Sequence, residues 1–289
     1  MRSDVEHIVL TRFNLVGIGG LKSEQEWKTW NKNRFRIFKE YCLPSMLQQS
    51  ASYKWHLYFD EQTPVEHMAE IEELKLHSFI QIFFLNGKDA FFRDHMFAIQ
   101  KSLSTGTRWL MTTRVDNDDC LHRDAISAIQ SRFVPRDQFI INLSSGYTFN
   151  METGIMSHYF YLKSPFLSVV EDTKKDLLKG AYMKRHSQWE PGKAAPWGRV
   201  IKSTLTGKQN HAYIVERPFW LQLIHGENVS NDDLRGLPVR RSMALEDFGV
   251  NQQGKAASVI DIPRYCHFIW WKRYAKAVLL KLFFRNPGS

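Results

Sequence analysis

The sequence predicts an α/β protein on a mixed, mostly parallel Rossmann-type sheet with flanking helices. Two observations carry that expectation. Before residue 135, β-branched apolar runs alternate four times with segments of helical spacing. Beyond residue 138 the rhythm loosens into an irregular half with shorter alternating runs and Gly turns. Strand followed by helix, repeated, gives parallel strands joined by right-handed crossovers. In such sheets ligands gather at the carboxyl ends of the strands.

The elements follow in order. "HIVLTRFNL" (7–15) reads as a strand running into the loop "VGIGG", and a polar linker follows. "NRFRIFKEYCLPSMLQQS" places Phe35, Phe38, Tyr41, Cys42 and Met46 near helical spacing, with Pro44 expected to kink or break the helix. "YKWHLYFDE" (53–61) is a second strand ending in an acid. Thr63 as cap, Pro64 at the first helical position and Glu66 three residues after the cap predict a helix over 63–77. A third strand (78–86) turns at Asn86-Gly87 into a helix (89–103), and "RWLMTTRV" (108–115) is strand four, with a helix over 121–133.

From 138 to 166 the pattern predicts hairpins or a mixed sheet. A Gly/Pro/Trp-rich stretch (187–200) interrupts, and 211–231 reads as a strand ending in a polar loop. The expected organisation is one domain over 1–260, with halves of 1–135 and 136–260, and a basic amphipathic tail over 261–289.

The bulk composition narrows the partners. With 289 residues, 43% hydrophobic and 13% aromatic, the chain can bury a large core and shows no sign of disorder. A net charge of +9 and a pI near 9.4 point to an anionic partner: nucleotide phosphates, nucleic acid or an acidic membrane face. The 3 cysteines, Cys42, Cys120 and Cys266, are widely spaced and form no CxxC pair, which indicates neither a disulfide framework nor a zinc site and fits a reducing cytoplasm. Residues 1–20 lack the order of a signal peptide, and no apolar run reaches the roughly 18 residues that span a bilayer.

One stretch demands a chemical explanation. Asp116, Asp118 and Asp119 surround Asn117 at the end of strand four. Carboxylates this close repel one another unless water, a cation or hydrogen-bond donors compensate. The DxD form suits a divalent ion with hard oxygen ligands, able to bridge to nucleotide phosphates. The plainer alternative is that Asp118 or Asp119 caps the helix that follows.

The series "LNGKDAFFRDHMFAIQKSLSTGTRWLMTTRVDNDDCLHRDAI" resembles the stretch of GT-A glycosyltransferases that leads from an Asn-Gly turn through a helix into the DxD strand. "WLQLIHGENVSN" (220–231) resembles their late His-containing segment. Together with "TRFN" (11–14) and "WHLYFDE" (55–61), the chain looks like the bacterial rhamnosyltransferase family over most of residues 5–235.

That resemblance implies a GT-A-like fold, with a nucleotide-sugar half over 1–135 and an acceptor half over 136–260. It also implies residue roles. Thr11, Arg12 and Asn14 would line the nucleoside pocket, Asp60 would hold the base or ribose, and Arg93 would face the sugar nucleotide. Asp116 would meet the ribose or sugar and reach the metal, Mn2+ or Mg2+, which Asp118, with Asp119 as a further candidate, would hold and His225 would complete. Each residue also has a plainer role: Arg12 and Arg93 as surface cations, Asp60 as a turn cap, His225 as a structural histidine.

Sugar transfer from a nucleotide donor passes through an oxocarbenium-like state, and an inverting enzyme needs a carboxylate to deprotonate the acceptor hydroxyl. The candidate catalytic carboxylates are Asp119 and Glu190, the latter beside Trp189 and His186. Glu152 lies in a turn, and Glu171-Asp172 reads as a solvated helix start. The tail, "RYCHFIWWKRYAKAVLLKLFFRN" (264–286), mixes aromatic anchors with Lys and Arg, as an interfacial helix on an anionic membrane would, or a packed helix with snorkelling cations.

The expected enzyme thus moves a sugar, rhamnose by resemblance, from a nucleotide-sugar donor to a glycan or lipid-linked glycan acceptor at the cytoplasmic membrane face. Clustered acids and a basic exterior would also suit a metal-dependent nuclease, and a cation-binding module is a third class. The dispersed cations and the lack of a diagnostic motif argue against nucleic acid as partner.

Overall fold

A computed structural model describes residues 2–18, 23–175, 177–189, 210–226, 234–239, 241–256 and 275. Glu190 and, apart from residue 275, the predicted tail over 264–286 lie outside them. The predicted α/β architecture is present as two sheets joined through the acidic cluster.

The first sheet has the order β10-β6-β9-β4-β1-β2-β3, comprising β1 (Val5–Arg12), β2 (Lys54–Asp60), β3 (Ile80–Leu85), β4 (Trp109–Arg114), β6 (Phe139–Leu143), β9 (Leu167–Asp172) and β10 (His211–Ile214). Pairings β1–β2, β2–β3, β1–β4 and β10–β6 are parallel, and β9 alone runs against its neighbours β4 and β6. Side chains alternate across the strands with period two. Val9, Trp55, Leu57 and Phe59 pack on one face with Phe35 and Phe38, with Ile71 of α3 (Met68–Leu74) and with Ile126 of α5 (Ala125–Ser131). Ile8, Leu10 and Tyr58 pack on the other with Phe91 and Ile99 of α4 (Gly87–Ser102).

Helix α1 (Glu24–Ile37) begins where the sequence reads as a polar linker. Ser23 and Glu26 form a reciprocal capping box: Ser23 Oγ accepts from Glu26 N–H, and Ser23 N–H donates to a Glu26 carboxylate oxygen at 2.8 Å. Pro44 does not break this helix. It has no N–H to donate, and the helix widens into a π turn (Phe38–Cys42) before continuing as α2 (Leu43–Leu47). Phe35 and Phe38 face the first sheet while Ile37 and Tyr41 face the second, so α1 is wedged between the two.

The second sheet has the order β13-β14-β8-β7-β11-β5, with β12 (Leu237–Pro238) also on β8. Its members are β5 (Asp119–Leu121), β7 (Ser145–Asn150), β8 (Ile155–Phe160), β11 (Trp220–Ile224), β13 (Met243–Ala244) and β14 (Gln253–Ala256). Trp220 is buried against Phe166, with ring centroids 4.9 Å apart, and its indole N–H donates to Leu143 O at 2.8 Å. Gly146 makes that packing possible, since a Cβ there would lie 1.9 Å from the indole ring.

Several expected elements differ. Thr63 does not cap a helix: its hydroxyl donates to Asp60 O, Pro64 is extended, and helical structure starts as a 3-10 turn at Val65. The expected closing strand is two, β10 and β11. Glu171-Asp172 ends β9 instead of opening a solvated helix, and buried Glu171 accepts from the N–H groups of Lys179 and Gly180 at 2.7 and 2.8 Å. The helix-cap role for Asp118 or Asp119 is also excluded, because α5 starts at Ala125 and Asp119 opens β5, antiparallel to β11. The acids therefore sit where the chain crosses from the first sheet to the second.

Candidate active site

A cleft of about 900 Å³ opens at the carboxyl ends of β1 and β4 and extends toward the second sheet. Along one face of α1, Trp27, Trp30 and Arg34 form a wall at positions i, i+3 and i+7. The Trp27 and Trp30 rings stack with centroids 5.5 Å apart, and the Arg34 guanidinium lies 4.8 Å from the Trp30 ring centroid.

The acidic cluster is compensated residue by residue. Asp116 accepts from the Tyr182 hydroxyl at 3.0 Å and meets Arg114 at 3.4 Å. Burial, with Asp116 beside it, pushes the Tyr182 phenol up, so the hydroxyl stays protonated and donates. Asn117 donates to Phe13 O at 2.8 Å and accepts from Arg34 at 3.4 Å, stitching the loop to the end of β1. Asp118 forms an ion pair with Arg34 and lies 3.2 Å from His225 Nε2. Burial opposes its ionisation, but Arg34 and His225 outweigh that and hold its carboxyl well below the usual carboxylate range.

Asp119 differs. Its side chain borders the cleft, is only 4% exposed, and neither accepts a hydrogen bond nor forms an ion pair among the described residues. Burial, then the charges of Asp118 and Asp116, pushes its carboxyl well above the ordinary value.

The remaining predicted residues divide. Arg12 borders the cleft with its guanidinium 4.2 Å from the Tyr182 ring centroid and makes no ion pair with a described residue. Arg114 lies against the same ring at 4.6 Å. Asn14 also borders the cleft, but it is buried and donates to Asn31 at 2.6 Å and Thr63 at 3.0 Å while accepting from Asp60 N–H at 2.9 Å.

Thr11 points into the core, where its hydroxyl accepts from the Trp55 indole at 2.9 Å, so it does not line the cleft as expected. Asp60 is fully buried, and its oxygens accept from the backbone N–H groups of Val16, Gln62 and Gly87 at 2.8, 2.9 and 3.1 Å. It clamps two loops instead of bordering the cleft. Gly87 is needed in that clamp, at φ 72° with a would-be Cβ 3.2 Å from Val16 O. Arg93 is exposed on α4 and paired with its neighbour Asp94 at 2.7 Å, away from the cleft, while Phe92 borders it.

Arg34, Arg114, Tyr182 and the Trp27–Trp30 pair are site residues that the sequence reading missed. The Ser23–Glu26 capping signature, which starts α1, was the available clue to Trp27, Trp30 and Arg34 on one face.

Comparison with known proteins assigns the family. Residues 6–186 match the family described as "Putative rhamnosyl transferase". The chain belongs to that family. The chain matches no curated protein. Among solved structures it is similar to Staphylococcus aureus TarS, at 9% identity and TM-score 0.42 over 76% of this chain and 37% of that one. It is also similar to the glycosyltransferase GlyE of Streptococcus pneumoniae, at 9% identity and TM-score 0.36 over 78% and 56%. A third likeness is to a "putative nucleotide-diphospho-sugar transferase" of Desulfovibrio desulfuricans, at 8% identity and TM-score 0.30 over 77% and 81%. The chain thus spans 37% of TarS and 56% of GlyE, and likenesses this distant carry no residue roles across.

A divalent ion is implied by the DxD resemblance. The donors suit one in kind: hard carboxylate oxygens of Asp116 and Asp118, the His225 imidazole, and, bordering the same cleft, a carboxyl at Asp119 paired with neither arginine nor histidine among the described residues. Among the described residues, however, no three His, Cys, Asp or Glu side chains are grouped to hold a metal, and Arg34 occupies Asp118.

Proposed function

We propose that this chain transfers a sugar from a nucleotide-sugar donor to a glycan acceptor, with the donor diphosphate in the cleft at the ends of β1 and β4. The observation carrying this reading is the meeting, in one cleft, of the Asp116–Asp119 cluster with the guanidinium groups of Arg12 and Arg114. Arg12 has no carboxylate to neutralise it among the described residues, so its charge and forked donors are open to a phosphate. The Trp27–Trp30 wall offers apolar surface beside it.

Asp116, Asp118 and His225 would hold a divalent ion, Mn2+ or Mg2+. When bound, it supplies positive charge to the departing diphosphate. Arg12 orients the same phosphates, and the Tyr182 hydroxyl fixes Asp116. Asp119, the one acid of the cluster engaged by neither guanidinium nor imidazole among the described residues, is assigned the acceptor's proton. Glu190, outside the described residues, is the alternative. Rhamnose as donor sugar, inversion and a lipid-linked acceptor belong to this proposal, as does contact of the 264–286 segment with an anionic membrane surface at the cytoplasmic face. No helix among the described residues is long and apolar enough to cross a membrane.

The test incubates the full chain with a panel of nucleotide sugars, including a deoxythymidine diphosphate-rhamnose, with and without Mn2+. Release of the nucleoside diphosphate, stimulated by Mn2+ and lost in Asp118→Asn, is the expected outcome. Failure to bind or turn over any nucleotide sugar, with cleavage of DNA or RNA instead, would favour the nuclease class.

A further inference from the structure

We propose that His186 Nε2 accepts a hydrogen bond from a hydroxyl of the acceptor sugar, so that His186 and Tyr161 form the acceptor's subsite at the second-sheet end of the cleft. The inference rests on the reading of this cleft as a glycosyl-transfer site. It concerns two residues to which that reading gives no role.

His186 opens the short helix α6 (His186–Trp189) and borders the cleft. Its Nδ1 lies 2.6 Å from Lys163 O. A carbonyl oxygen only accepts, so Nδ1 carries the proton and, in the neutral ring, Nε2 keeps its lone pair. Nε2 makes no hydrogen bond with a described residue, and the residue is partly exposed. The ring is held in place from several sides. Gln188 N–H donates to Arg185 O at 2.8 Å, and the Gln188 side chain accepts from Arg185 N–H at 3.1 Å, closing the turn around His186. The buried Trp189 indole donates to Ala181 O at 3.2 Å and ties the far end of the helix.

A bare Nε2 selects its ligand. An ionised diphosphate offers only acceptors and gains nothing from a neutral imidazole nitrogen, whereas a sugar hydroxyl can donate to it. Burial, then the charges of Arg114 and Lys163, outweigh the Lys163 carbonyl and Asp116 and hold the imidazole below the ordinary histidine value, in favour of the neutral ring. Tyr161 meets the imidazole edge to face, with centroids 6.3 Å apart. It is partly exposed and stacks on buried Tyr159 at 5.6 Å and 15°, and both tyrosines border the cleft. An aromatic wall beside one fixed polar atom suits a hexose ring, whose C–H face packs on aromatic carbon while its hydroxyl rim forms hydrogen bonds. Arg12 ends β1 in the first sheet, and Tyr161 follows β8 in the second, so the phosphate and acceptor ends rest on different sheets.

The experiment follows the imidazole nitrogens of the full chain by NMR, with isotope-labelled histidine, during titration with methyl glycosides of rhamnose, glucose, galactose and N-acetylglucosamine. Wild type is compared with His186→Asn and His186→Gln, either of which assigns the His186 signals by their loss. The free wild-type protein is expected to hold the His186 proton on Nδ1, and at least one glycoside is expected to shift the Nε2 signal. His186→Asn keeps an N–H for Lys163 O and removes Nε2, so it should fold as wild type and bind that glycoside roughly three- to tenfold more weakly. His186→Gln, which can bring an amide oxygen to the place of Nε2, should recover part of the loss. In wild type, binding should weaken as acid protonates Nε2, while His186→Asn stays flat.

Equal glycoside binding in wild type and His186→Asn overturns the subsite, as does a proton on Nε2 in the free protein or an Nε2 signal that no glycoside moves. A nucleoside diphosphate titration runs alongside, and its affinity should be unchanged in His186→Asn. A loss of that affinity with glycoside binding intact moves His186 to the phosphate end and refutes the proposal. Diphosphate binding without any glycoside response removes this inference alone, and failure of both removes the transferase reading with it. Should His186→Asn not fold, the wild-type Nε2 shift and its pH dependence decide.

Discussion

His225, the residue after β11, places Nε2 3.2 Å from a carboxylate oxygen of Asp118, which precedes it by 107 positions. β5 and β11 pair antiparallel, Gln222 opposite Asp119, and this pairing brings the two together. The contact joins the acidic loop to the second sheet. His225→Ala is expected to lower Mn2+ affinity by roughly 10–100-fold, the range for loss of a group that holds or orients a ligand. Unchanged affinity in that variant would place His225 outside the ion site.

Asp118, partly buried, pairs with buried Arg34, so removing one partner leaves the other uncompensated. Asp118→Asn should destabilise the fold by about 3 kcal/mol or more, and the double variant Asp118→Asn/Arg34→Gln should recover much of the loss. Chemical denaturation of the four proteins in the cycle measures this. Additive losses would mean that the pair is not coupled.

Arg12 stands against Tyr182 without a carboxylate partner among the described residues, so truncating it leaves no described acid uncompensated. Arg12→Ala is expected to weaken nucleoside diphosphate binding by roughly 10–100-fold, with little change in melting temperature, since a charge-assisted hydrogen bond contributes about 1.5–3 kcal/mol. Calorimetric titration with the diphosphate decides it.

Asp60 accepts from three backbone N–H groups and is not at the cleft surface. Asp60→Ala would strand those donors, with an expected cost of about 2–4 kcal/mol in unfolding free energy. At a temperature where the variant is folded, its affinity for a nucleoside should match wild type. A nucleoside-specific loss without destabilisation would restore the ligand role that the resemblance implies.

Burial favours the neutral form of His7, His56 and His95. Burial pushes His7 down to about 3, and burial, assisted by Lys54 at His56 and by Arg12 at His95, pushes those two down to about 4, from 6.5. The unfolded chain therefore binds more protons than the folded one below the ordinary histidine value. Stability is expected to be full above pH ~6.5 and to decline as pH falls toward the folded values, by roughly 1–2 kcal/mol per histidine at pH 5. Urea midpoints at pH 7.5 and pH 5 test this, and a flat profile would contradict the burial of these imidazoles.

The first half of the fold was legible because its strands are buried on both faces and its helices alternate with them, as Ile8 to Leu10 and Trp55 to Phe59 illustrate. The acidic cluster could be recognised by local repulsion alone. Its counter-charges could not, because Arg34 reaches it from a helix 83 positions before Asn117 and Tyr182 from a segment 66 positions after Asp116. Thr11 and Asp60 look like ligand residues in sequence, yet their polar atoms meet an indole and loop amides that only the folded chain brings near. Glu171 misleads for a similar reason: its solvated-looking context hides two backbone donors eight and nine residues later.

The passage between β4 and β5 holds only Val115 to Asp118, at roughly 3.3–3.6 Å of reach per residue. It closes in a turn, in which Asp119 N–H donates to Asp116 O at 3.2 Å, and Asn117 pins it to the end of β1. The carboxylates are thereby carried on a short turn tied to the first sheet and not on a free loop.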